Sequence, residues 1–102
     1  MPAEQRPAVS APGGGVVWKW GVPVDDREHE LPWPADATVV HVAPTPDDPA
    51  VVQVWTFSSR THVERPRRLR VFGDGQPIPA PCAHLGTAVT DVGLVWHLIE
   101  VL

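Results

Sequence analysis

The chemistry open to this chain rests on five histidines, one cysteine and a run of arginines. Histidine binds metals and moves protons near neutral pH. Cys82-x-His84 is the one close cysteine–histidine pair, whereas a zinc site needs three or four converging ligands with outer support. That spacing supplies two, so no metal and no cofactor is expected. His41 and His97 fall in stretches that read as strands and would meet if those strands were neighbours. His97 sits in an apolar run, where a neutral, hydrogen-bonded core histidine is the ordinary case. Ser58 or Ser59 with His62 offers a nucleophile and a base on one connection. No carboxylate is placed to orient that histidine, and the strand–turn–helix elbow of serine hydrolases is missing. Cys82 lies among prolines and small residues with no cationic run beside it to activate the thiol.

Gly73-x-Gly75 follows a strand, as phosphate-cradling loops do. Those loops aim a helix N-terminus at the phosphate, and Pro77 and Pro79 prevent a helix from starting here. Gly73, Asp74, Gly75 and Pro77 are therefore expected to form a structural turn, with Gly75 at positive φ. No catalytic residues are assigned, and the chain reads as a non-enzyme.

Charge is the more informative signal. Between Asp25 and Asp48 there are seven acidic side chains against the lone Arg27. From Arg60 to Arg70 there are five arginines against the lone Glu64. Arg68 and Arg70 share one face of a strand while Leu69 and Val71 take the other. The plain reading is a solvated outer face. The sharper one is a basic ridge of Arg60, Arg65, Arg67, Arg68 and Arg70 that meets the acidic segment of a second copy, or an anionic partner. Trp33, held between Pro32 and Pro34, is the expected exposed anchor of such a contact. Trp18, Trp55 and Trp96 sit inside alternating runs and read as core.

The elements that must position these groups are short. Thirteen prolines and eight glycines in 102 residues leave no room for long helices. Residues 1–14 hold almost no bulky apolar side chain and are expected to form a disordered tail ahead of one domain over 15–102. Strands are expected at 16–22, 28–31, 38–43, 50–57, 67–72, 84–89 and 94–101, with 28–31 at an edge and the runs at 50–57 and 94–101 central. Residues 31–34 read as an extended connector, because a residue before proline is pushed out of helical angles. No window favours the helical period. The fold class is all-β: a small antiparallel sandwich or partly open barrel of six to seven short strands.

The order of landmarks resembles a family of small uncharacterised proteins of bacteria and of their phages and prophages. The matching features begin with Trp18-Lys19-Trp20, Leu31-Pro32, Val40-His41-Val42 and Val54-Trp55. Arg67-Arg68-Leu69-Arg70, the G-x-G-x-P-I-P turn at 73–79, Leu85-Gly86-Thr87 and Val95-Trp96-His97-Leu98-Ile99-Glu100 complete them. The family's turn typically reads G-T-G-H-P-I-P, and this chain has Asp74 and Gln76 at the threonine and histidine positions. The resemblance implies a stand-alone module of the kind carried on mobile elements and brings no activity with it.

A net charge of -4 gives no reason to expect nucleic acid or an anionic membrane as partner. No apolar run reaches the roughly 20 residues of a membrane helix, and no secretory signal is evident, so a cytoplasmic protein is expected. The function expected is a non-enzymatic binding or assembly module that self-associates or takes a protein partner. The alternatives are a mobile-element factor that binds a host defence protein or an anionic nucleotide, and a small hydrolase.

Overall fold

The computed structural model describes residues 14–60 and 63–102. The expected tail over 1–14 falls almost wholly outside the described residues, as does His62. Seven strands form: β1 (Gly15–Pro23), β2 (His29–Pro34), β3 (Thr38–Thr45), β4 (Asp48–Ser59), β5 (Glu64–Gly73), β6 (Cys82–Val89) and β7 (Val95–Val101). They build two antiparallel sheets, one ordered β1-β4-β3 and one ordered β2-β5-β7-β6. This is the expected all-β, sandwich-like arrangement, and no barrel closes.

Alternation decides which side chains meet between the sheets. Along β4, Val52, Val54, Thr56 and Ser58 are buried while Val51, Gln53, Trp55 and Phe57 are half-exposed. Val22, Val42, Leu69, Val71, Ala88 and Leu98 complete the shared core with Trp33. The two apolar runs expected to be central are so: β4 lies between β1 and β3, and β7 between β5 and β6.

Boundaries differ from the sequence reading at β5, which begins at Glu64 rather than at 67, and in two further places. The stretch 31–34, expected as a connector, is the second half of β2, with Trp33 opposite Arg65 and Pro34 opposite Glu64. Proline is tolerated there because β2 is an edge strand, where the missing N–H can face away from the ladder. The loop expected over 44–49 shrinks to Pro46-Asp47, since β3 runs to Thr45 and β4 begins at Asp48.

β5 and β6 both pair antiparallel with β7, so they run parallel to one another. Gly73 at the end of β5 lies opposite Trp96, and Cys82 at the start of β6 lies opposite Val101. The connection 74–81 must therefore travel the length of β7. The opposing sheet occupies the inner face, which leaves the outer one for this proline-rich strap. Phe72 and Ile99, each only 1% exposed yet outside the inter-sheet cluster, are buried on that outer side.

The strap opens with the expected turn, which feeds a crossover rather than a hairpin. Gln76 N–H donates to the Gly73 carbonyl at 3.2 Å, and the Gln76 side-chain oxygen accepts from the Gly73 N–H at 3.0 Å. Gly75 has φ +78, with open space around the position of a Cβ. A β-branched residue there meets backbone strain and no clash. Gly75→Val should cost about 1–3 kcal/mol, read as a lowered unfolding midpoint; an unchanged midpoint defeats the turn assignment.

Candidate functional site

The arginine ridge is largely answered within the chain. β2 lies against β5 with Glu30 opposite Arg68, which brings the acidic segment onto the basic strand. Arg68 Nη1 is 3.4 Å from Glu28 Oε1, and Arg70 Nη2 is 3.9 Å from Asp26 Oδ1. The Arg70 guanidinium also stacks on the Phe72 ring, 4.5 Å from its centroid. Arg68 and Arg70 do share the outer face, and Leu69 and Val71 the inner one. Nearby, Asp25 accepts from the His29 side chain at 2.8 Å and from the Arg27 N–H at 3.0 Å. Those two bonds, the histidine first, hold its carboxyl below the ordinary value of 3.8.

Arg67 is not part of that ridge. It has the inward parity of Leu69, and its guanidinium makes a two-pronged pair with Glu100, Nε to Oε2 at 2.5 Å and Nη2 to Oε1 at 2.8 Å. The same group lies 5.1 Å from the centroid of Trp33. The expectation that Trp33 is an exposed anchor is corrected: it is 0% exposed, tilted against Trp20 at 6.2 Å between centroids. Its flanking prolines straighten an edge strand whose inward side is covered by the other sheet. Trp18, read as core, is instead 51% exposed, because β1 is itself an edge. Trp55, also read as core, is half-exposed on the outer face of β4, since the inward positions there are Val54 and Thr56. Arg60 and Arg65 are exposed. Arg65 lines a cleft of about 360 Å³ with Arg67, Arg68, Glu100 and Leu102.

A different cluster emerges on the outer face of the four-stranded sheet. His84 Nε2 is 3.2 Å from His97 Nδ1, and Thr87 Oγ1 is 3.2 Å from the first and 3.1 Å from the second. On its far side, His97 Nε2 donates to Asp74 Oδ1 at 2.9 Å. Residues three apart on a strand ordinarily face opposite sides. Here the pairing of β6 with β7 shifts register between His84 and Gly86, and such a bulge re-aims the side chains beyond it. His84 and Thr87 then share a face, while Ala88 turns into the core. Gly86 permits this because a Cβ there would stand 2.5 Å from Val42 Cγ2 of the opposite sheet. Asp74 arrives from the turn that opens the strap.

His97 was expected to meet His41 or to lie in the core. His41 is in the other sheet, its ring 5.3 Å from that of Trp55. His97 points outward and is partly exposed. Thr87, His97 and Asp74 form a hydroxyl–imidazole–carboxylate chain of the order used to activate nucleophiles. It lies on an open sheet face, away from the cleft beside Arg65. Among the described residues, no group of three or more His, Cys, Asp or Glu side chains is placed to hold a metal ion. Cys82 is a free, exposed thiol. No helix of the described residues is long and apolar enough to cross a membrane.

A family model, a domain of unknown function (DUF7352), matches residues 14–102, which is every described residue and all seven strands. The chain belongs to the DUF7352 family. No curated protein and no solved structure matches it. For the DUF7352 domain, then, function has to be argued from the surfaces and side chains of this chain.

Proposed function

We propose that this DUF7352 domain is a non-enzymatic binding and assembly module that pairs with a second copy of itself through the outer face of the three-stranded sheet. The observation that carries this reading is the composition of that face. Register places Val17, Lys19, Gly21 and Pro23 of β1 outward beside Phe57, Trp55, Gln53 and Val51 of β4, with Thr38, His41 and Ala43 of β3 on the far side. Lys19 is the one full charge among them. Depletion of charge with aromatic enrichment marks the centre of protein interfaces. On the outer face of the other sheet Phe72 and Ile99 are buried, while Val89 at the end of β6 is exposed. On this face Val17 is 56% exposed, and no described strand lies over it. A flat face presented twice is self-complementary about a two-fold axis, and two sheets stack about 10 Å apart with their side chains interleaved.

The contact proposed here is apolar, because Arg67, Arg68 and Arg70, three of the arginines that suggested an electrostatic one, meet acids within the chain. Light scattering at tens of micromolar, chosen as about a weak dimer's Kd, should give a mass above 11.1 kDa. Raising the salt should leave that mass unchanged. Trp55→Glu should return it to the monomer with unchanged circular dichroism, while Arg68→Glu/Arg70→Glu should not. A wild-type chain that stays monomeric, or a Trp55→Glu variant that still associates, defeats the reading.

The cleft lined by Arg65, Arg67 and Arg68 supports a second reading, an anionic partner such as a nucleotide or an acidic stretch of a host protein.

A further inference from the structure

The cluster on the outer face of the four-stranded sheet serves neither contact. We propose that His84, His97 and Thr87 form a surface site for a divalent transition-metal ion of the zinc class. Three donor atoms, Nε2, Nδ1 and Oγ1, stand at the corners of a triangle with sides of 3.1–3.2 Å. Around a tetrahedral zinc with ligands at about 2.0–2.1 Å, neighbouring donors are about 3.3–3.4 Å apart. An ion therefore fits above the triangle with movements of a few tenths of an ångström. The third donor is a hydroxyl, which is why no cluster of acidic, thiol or imidazole groups alone marks the place.

The protonation pattern fits as well. The Asp74 carboxylate accepts a hydrogen bond, so His97 carries its proton on Nε2, and in the neutral ring Nδ1 is bare and faces the triangle. A carboxylate behind a metal-binding imidazole is the usual outer support of such sites, fixing tautomer and ring orientation. Imidazole nitrogens favour zinc, copper and nickel over magnesium or calcium. The scaffold holds its donors well: His97 is on β7, paired on both sides, directly opposite Thr87. The bulge that turns His84 onto the same face places residue 86 where only glycine fits, since a Cβ there would meet Val42 of the opposite sheet. The remaining coordination positions face solvent, open to water, to a ligand or to a side chain of another molecule.

Zn²⁺ titrated into the full chain by calorimetry should bind one equivalent with Kd tighter than about 1 mM, a threshold set by affinity arithmetic. Imidazole ¹⁵N spectra of the unmutated chain should move first at His84 and His97, ahead of His29 and His41. His84→Ala and His97→Ala should each weaken binding at least about tenfold, and Asp74→Asn about 10–100-fold, with circular dichroism unchanged. His41→Ala should bind as the wild type does. Absence of binding at 1 mM, perturbation that begins at other histidines, or affinity that survives His84→Ala each overturns the site. The imidazole spectra decide the matter even if a variant fails to fold.

Discussion

Trp33→Ala should lower the stability of the domain by about 3–5 kcal/mol, the range for removing a buried aromatic ring. For a domain of this size that is a fall in thermal midpoint of roughly 12–40 °C. The ring is wholly buried, packs on Trp20 and supports the Arg67 guanidinium. Truncation thus leaves a cavity and loosens an ion pair together. Trp33→Phe should cost much less, because the indole Nε1 is buried without a hydrogen-bond partner and its loss removes an unsatisfied polar group. Trp18→Ala, at a half-exposed position, should cost a fraction of the Trp33→Ala loss. Thermal melts of the three variants check the order. A Trp33→Ala variant that melts within a few degrees of the wild type would show that the core lies elsewhere.

The contrast between Trp33 and Trp18 shows where sequence stops informing. Period-two patterning made the strands legible, including the face shared by Leu69 and Val71 and the opposite placement of Arg68 and Arg70. The same patterning does not say how far the opposing sheet extends, so it misjudged both tryptophans. Trp33 looked exposed because its proline neighbours speak only for local backbone, while burial is decided by the sheet laid over it. The acidic segment was legible as a charge run. That it answers Arg68 and Arg70 inside one chain depends on β2 pairing with β5, and strand order is not written in periodicity. The His84–Thr87–His97 cluster was invisible for a different reason. Its spacing is wrong for a regular strand, and only the bulge makes it right. Gly86 within a strand was the available signal, since an interior glycine marks a bulge or a close backbone approach. Asp74 was singled out as a turn residue, and its bond to His97 spans 23 residues of chain.

Arg67 and Glu100 test how much of this end of the sandwich is held by charge. Glu100 is 9% exposed and receives both prongs of the Arg67 guanidinium, which also reaches the Ala37 carbonyl at 3.4 Å. Removing one partner strands the other without compensation, and breaking a buried pair costs about 3–5 kcal/mol. Arg67→Met should therefore destabilise the domain by that amount although it keeps an apolar stem over Trp33. Arg67→Met/Glu100→Leu should recover most of the loss, because apolar side chains of similar volume need no charge solvated. The coupling between the two sites, measured by denaturant unfolding of the four chains, should be large and favourable, as expected for directly contacting groups. If the two losses simply add, the pair is a surface ornament and Arg67 is free to serve an outside anion. If they couple, Arg67 belongs to the architecture, and among the clustered arginines Arg60 and Arg65 are the ones left facing outward without an acid assigned to them.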